Sequence, residues 1–327
     1  MTKLLFSLCV LVLTLFVTSL LVGPADIGVM QSLSALFATE QTPVSQVMQQ
    51  IRLPRAILGV MVGLSLGLAG AALQGLLRNP LAEPGVIGVS AASALGAVLA
   101  LQTGFAVATS LALPLSALVG AAVAVVLILL LAGRHGSSIT LILAGVAISA
   151  LSTAMTSLVL NLSPNPFAAS EIMFWMMGSL ADRSFDHVGL VLPVMVVGWL
   201  LLLSTVKSLN ALSLGEDVAS SLGVRLSLTR WSILIGAAAA VGASTAVAGA
   251  IGFIGLVVPH VLRRWVGHQP GALLPASALG GAALLLAADI AVRVVLPGKD
   301  LKLGVVMAII GAPLFLHLII RTRRGQL

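Results

Sequence analysis

The chain has 327 residues, of which 59% are hydrophobic and only 8% charged, and its mean hydropathy is +1.16. That composition excludes an ordinary soluble domain. The net charge of +7 points to anionic lipid headgroups rather than nucleic acid, because the arginines border apolar runs. The single cysteine, Cys9, allows no disulfide within the chain and is expected to pack.

The first apolar run covers residues 4–23, behind Lys3. It reads as a first span and not as a cleaved leader, since no small-x-small site closes it and further spans follow. The next runs cover 52–77, 86–103, 106–132 and 139–160, and no residue from Pro84 to Gly133 is charged. The stretch 166–183, PFAASEIMFWMMGSLADR, is too short and mixed to cross and reads as an interfacial or re-entrant helix on the outer side. Further runs cover 188–206, 230–249, 251–266, 272–296 and 303–320. A helix needs roughly 20 apolar residues to cross the hydrocarbon core. The runs are continuous and not alternating, so they predict helices and not a closed barrel. The expected fold is an all-α integral membrane protein of about ten transmembrane helices, a single polytopic domain over 1–327.

Glycine is concentrated at Gly59, Gly63 and Gly67 and again at Gly249, Gly252 and Gly255. Small residues let membrane helices approach closely. The two runs hint at an inverted repeat of spans 2–5 against spans 7–10. With both termini inside, Lys3, Arg78, Arg134, Lys207, Arg225, Arg230, Arg263, Arg264, Arg321, Arg323 and Arg324 fall on the cytoplasmic side. Arg52, Arg55, Arg183, Arg293, Lys299 and Lys302 fall outside, and the positive-inside rule favours this orientation. Trp231 and Trp265 then sit beside cytoplasmic arginines as interfacial anchors.

The chemistry of catalysis is absent. None of Lys3, Lys207, Lys299 and Lys302 stands in a GK[ST] step, so there is no P-loop and any ATP is handled by a partner. His135, His187, His260, His268 and His317 lack ligand spacing, so neither a metal nor a cofactor is expected. Asp289 is the clear acid within a span, four residues before Arg293. An intrahelical ion pair is the plainer reading, a proton relay the sharper one. Met173, Met176 and Met177 beside Trp175 either fill a packing gap or line a pathway.

The most informative segment is Lys207–Arg230, KSLNALSLGEDVASSLGVRLSLTR, a charged island between apolar runs. Gly215, Glu216 and Asp217 open a short amphipathic helix, with acids where the helix dipole favours them. Val218, Ala219 and Leu222 share one face, and Gly223 stands where a C-terminal cap would. Such an element suits a transporter driven by a separate soluble motor.

The chain resembles the permease subunits of ABC importers for iron-siderophores, haem and cobalamin from about Ile51 to Arg321. The resemblance rests on RLPR (52–55), RNPLAEPGVIGVS (78–90), LILAGVAIS (141–149), FWMMGSL (174–180), LGEDVASSLGV (214–224), AGAIGFIGLVVPHVLRR (248–264), LLPASALGGAALLLAADIAVR (273–293) and LGVVMAIIGAPLFL (303–316). The segment PGKDLKLG (297–304) departs from the family, which has an acid-Leu-Pro before that glycine. The resemblance implies the type II ABC importer permease fold and a homodimer with the translocation path on its two-fold axis. It also implies two cytoplasmic ATPase subunits, a periplasmic substrate-binding protein and a place in the bacterial inner membrane. Residues 211–229 match the coupling helices that sit in a cleft of the ATPase, so Leu214, Gly215, Glu216, Asp217, Val218, Ala219, Leu222 and Gly223 are the expected coupling residues. Arg52, Arg55 and Arg293 match arginines that receive carboxylates from the binding protein. For Arg52 and Arg55 the alternative is snorkelling at a helix start.

Two other classes compete. A secondary transporter suits a polytopic chain with inverted repeats, but the coupling segment and the scarcity of buried acids disfavour it. An intramembrane enzyme would need a clustered nucleophile, base or metal ligand set. Within the favoured class, iron-siderophore, haem and cobalamin remain open as cargo.

Overall fold

The computed structural model describes residues 1–25, 27–133, 138–163, 166–295 and 301–323, and every regular element among them is helical. In chain order these are α1 (Thr2–Leu21), α2 (Val29–Leu36), α3 (Pro43–Gln46), α4 (Leu53–Leu77), α5 (Val89–Gln102), α6 (Ala112–Ala132), α7 (Ser138–Asn161) and α8 (Pro166–Met176). There follow α9 (Phe185–Ser204), α10 (Val206–Leu212), α11 (Glu216–Ser221), α12 (Leu226–Ala248), α13 (Ile254–Arg263), α14 (Pro270–Val295) and α15 (Leu303–Arg323). A π-helical stretch, Val47–Arg52, joins α3 to α4. Arg134, Lys299 and Arg324, invoked above for orientation, lie outside the described residues, as does the first half of the 297–304 segment.

Each apolar run in the sequence coincides with a helix: α1, α4, α5, α6, α7, α9, α12, α13, α14 and α15. Among the described residues, 7 helices are long and apolar enough to cross a membrane. The 14 residues of α5 and the 10 of α13 are short for a span, reaching about 21 and 15 Å at 1.5 Å per residue. Each is preceded by a residue in the left-handed region, Gly88 at φ +80 before α5 and Phe253 at φ +67 before α13. Two short helices at matching places are what a repeated architecture leaves.

Packing supports the inverted repeat. Helix α4 packs on α14 as α12 packs on α6, and α5 packs on α6 as α13 packs on α14. Likewise α5 meets α7 and α12, while α13 meets α15 and α4, and α4 and α12 lie directly against each other. These two are the innermost spans, 83% and 78% buried, whereas α1 is only 17% buried and is exposed along most of its length.

Glycine sets how close the helices come. A Cβ on Gly67 would stand 2.0 Å from the Ser277 carbonyl oxygen, and one on Gly63 would stand 2.5 Å from that of Gly281, so α4 and α14 touch backbone to backbone. The α5–α6 pair repeats this seam, with a Cβ on Gly96 falling 2.2 Å from Ser116 O and one on Gly120 equally near Ala92 O. Of the second glycine run, Gly255 meets Gly70 in this way, and a Cβ on Gly249 would fall 2.4 Å from Trp175 O. Gly249 ends α12 at φ +70, and Gly252 lies in the break before α13.

Three sequence expectations change. Residues 24–51, left without an element, hold α2 and α3, short helices whose serines and glutamines hide the apolar period. Cys9, expected to pack, is exposed on α1. Met173 and Met177 are exposed on and just after α8, so they fill no gap inside this chain.

Candidate functional sites at the two ends of the bundle

Helix α11 lies with α10 at the end of the bundle where α4 finishes, since Gly75 of α4 packs against Leu209 of α10 and Pro270 of α14. Its start is built by Gly215 at φ +115, a backbone state that suits glycine, followed by Glu216 and Asp217 in the first turn. Its end is a Schellman cap: Val224 N–H donates to Ala219 O at 3.0 Å, Gly223 N–H donates to Ser220 O at 2.9 Å, and Gly223 takes φ +81. The capping role expected of Gly223 is what the backbone shows.

The exposed apolar face of α11 differs from the one expected. Ala219 is fully buried and belongs to the chain's own main core, so it seats α11 and offers no partner surface. The exposed apolar residues are Leu214 at 64%, Val218 at 44% and Leu222 at 64%. Val218 and Leu222, four residues apart, lie on one side of the helix. Spacing alone grouped Ala219 with them because positions i, i+1 and i+4 all fit one broad stripe. Glu216 stays partly exposed but is paired within the chain: both its oxygens accept from Arg230 Nη2 at 2.9 Å, tying α11 to the N-terminal part of α12. Arg230 went unrecognised as a site residue, for fourteen positions across a loop carry no periodic signal. Asp217 is exposed.

At the opposite end, where α4 begins and α14 finishes, the structure brings Arg55 and Arg293 together around one acid, with Arg52 bound to backbone carbonyls at the end of α1. Arg55 Nη2 lies 2.7 Å from Asp289 Oδ1, and Arg293 Nη2 lies 2.9 Å from Asp289 Oδ2. The i,i+4 ion pair anticipated between Asp289 and Arg293 is thus present, with Arg55 as a third member. The other guanidinium edges turn to the last turn of α1. Arg52 donates to Leu20 O, Leu21 O and Ala25 O at 2.9, 2.9 and 2.7 Å. Arg293 donates to Ser19 O at 2.9 Å, Val22 O at 2.7 Å and Ser19 Oγ at 2.7 Å. A helix end leaves carbonyls unsatisfied and carries partial negative charge, so two cations there cap it.

This corrects the picture of three free forks awaiting a partner. Arg52 is only 4% exposed and the Arg293 side chain only 5%, and both are committed to α1. The Arg55 side chain keeps 18% exposure and is the one with an open edge. Among the described residues, no group of three or more His, Cys, Asp or Glu is placed to hold a metal ion.

A multi-pass helical bundle whose two halves repeat one packing pattern, with exposed apolar side chains about a short capped helix at one end, suits a transport permease. The chain belongs to the FecCD transport family, whose pattern matches residues 10–321. It is 38% identical over 310 residues to the ferric enterobactin transport system permease protein FepD of Escherichia coli, covering 94% of this chain and 92% of that one. To the cobalamin import system permease protein BtuC of Halobacterium salinarum it is 38% identical over 269 residues, 82% of this chain and 72% of the relative. A solved metal-chelate type ABC transporter in an inward-facing conformation superposes with a TM-score of 0.85 at 34% identity, over 98% of this chain and 100% of that one.

Proposed function

We propose that the chain is the membrane subunit of a binding-protein-dependent ABC importer of the bacterial inner membrane. In this reading it forms, as a homodimer, the pathway for an iron chelate or haem, with cobalamin as the next choice. The observation that carries the reading is the exposed apolar group Leu214, Val218 and Leu222 on and beside a capped helix that Ala219 seats in the core and Glu216 ties to Arg230. A surface of that kind, at the end of a chain whose sequence carries no P-loop, fits a soluble ATPase. Two ATPase copies would serve the dimer. The relatives' names carry ferric enterobactin, cobalamin and molybdate, so they support an importer of this class without choosing its cargo. Uptake of labelled candidates, with ATP removed and the proton gradient kept, tests the reading. Uptake that persists without ATP would return the chain to the secondary-transporter alternative.

Docking has its own test. Truncating a central apolar anchor costs about 2 kcal/mol or more, roughly thirtyfold in affinity. The double change Val218→Ser and Leu222→Ser is expected to leave insertion intact and to strip the ATPase from the purified complex. Ala219→Arg is a poor probe, because its charge would enter the chain's own core. Undiminished co-purification of the ATPase with the serine variant would refute the assignment.

Orientation is open to labelling. In a Cys9→Ala background, a cysteine at Val218 is expected to react only from the cytoplasm and one at Gly28 only from outside. Labelling of position 218 from the periplasm would invert the topology. For the periplasmic partner, Arg55 is the proposed contact, since a guanidinium offers a planar fork to a carboxylate. Arg52 and Arg293 then act behind it by fixing α1.

A further inference from the structure

The segment between α4 and α5 carries Glu83, and its Oε1 accepts the backbone N–H of Phe253, 170 positions away, at 2.6 Å. Phe253 is the N-cap of α13 and holds φ +67, ψ −21, a state that a bulky side chain rarely adopts. The matching cap in the first half of the molecule is Gly88 at φ +80, which reaches that region freely and packs by its backbone against Gly145 of α7. In the second half the ring of Phe253 instead covers Gly311 of α15, where a Cβ would stand 2.3 Å from the ring. Phenylalanine therefore occupies a position built for glycine, and a carboxylate from the other repeat bonds to its N–H.

We propose that Glu83 is a positioning residue: it holds Phe253 in the left-handed state, and through the ring of Phe253 it sets where α15 lies against α13. The negative charge is favoured at the start of α13, where N–H groups lack helical partners. Small cavities flank the carboxylate, about 130 Å³ on the side of Leu73 and Leu141 and about 170 Å³ on the side of Ser90 and Gly252. The bond can therefore open without displacing packed side chains. Arg263 and Gln74 are hydrogen-bonded to each other nearby, and the same Gln74 donates to Gly255 O at 3.2 Å, which steadies the first turn of α13 independently of Glu83.

The test is a double-mutant cycle on the full chain in proteoliposomes with its ATPase and binding protein. Glu83→Ala is expected to lower uptake about tenfold, the loss that follows removal of a charge-assisted bond to a backbone donor. In a Phe253→Gly background the same change should cost less than about threefold, because glycine needs no help to hold φ above zero. Hydrogen exchange at residues 250–256 of the purified chain supplies a readout that does not depend on transport. Glu83→Ala should raise exchange of the 253 amide about tenfold, and Glu83→Gln, which keeps an oxygen acceptor, by less. Equal losses in both backgrounds would overturn the proposal. So would unchanged exchange of the 253 amide in Glu83→Ala or, should that variant fail to insert, in Glu83→Gln. The uptake arm rests on the transport reading above. Were wild-type uptake not to depend on ATP, that reading alone would fall, and the exchange arm would still decide the role of Glu83.

Discussion

Asp289→Ala is expected to abolish recovery of folded, monodisperse protein, or to cut it severely. The Asp289 carboxylate is 2% exposed and sits between two guanidiniums, those of Arg55 and Arg293. Removing one member of a buried ionic set costs about 3–5 kcal/mol, because the charges left behind stay desolvated and unpaired. Arg293 would retain Ser19 and Val22 of α1. Arg55 would lose the acid that receives its Nε and Nη2. Replacing both partners with apolar residues removes charge and countercharge together and is often nearly neutral. The double variant Arg55→Leu, Asp289→Leu should therefore recover much of the folded yield. If Arg55 also meets the periplasmic partner, the double variant folds without restoring uptake. Gel filtration of the detergent-solubilised variants decides the first point, and a double variant no better folded than Asp289→Ala would show the ion set is not the cause.

That cluster also marks the limit of what the sequence discloses. Asp289 and Arg293 could be paired on paper because four residues make one helical turn. Nothing local announces that Arg55 joins them from 234 residues away, or that Arg52 and Arg293 cap α1. Those contacts exist only once α1, α4 and α14 are side by side. The helices themselves were legible because in lipid the backbone must bond internally, so long apolar runs have one outcome. Their ends were less so: the run 251–266 contracts to α13, Ile254–Arg263, since the glycines before it unwind and do not extend the helix. On α11 the pattern gave the caps and the acids correctly but could not say which side of an amphipathic turn meets the chain's own core. Alanine serves either purpose, and Ala219 went inward. Glu83 left no trace at all, because an acid in a turn between spans looks solvated until the opposite repeat is brought against it.

The glycine seam between α4 and α14 supplies the other large effect. Gly67→Ala is expected to destabilise the folded chain more than any other single methyl along α4, with Gly70→Ala beside it. A Cβ on either would fall 2.0 Å from a backbone oxygen, that of Ser277 or that of Gly255. Backbone cannot rotate aside as a side chain can, so the helices must part. Helix association in lipid depends on van der Waals contact and carries no hydrophobic drive, and parting therefore forfeits most of what holds α4 to α14. Overpacking commonly costs about 1–3 kcal/mol, and an immobile partner places Gly67→Ala at or above the top of that range. At Gly59 the nearest atom is Leu286 Cδ2 at 3.0 Å, the tip of a side chain that can turn away. There the methyl should be tolerated, since alanine also gains roughly 1 kcal/mol of helix propensity over glycine. Thermal aggregation midpoints in detergent should thus fall sharply for Gly67→Ala and Gly70→Ala and hold for Gly59→Ala. Equal midpoints for all three would mean that α4 does not meet α14 and α13 through glycine, and the order would have to come from elsewhere in the bundle.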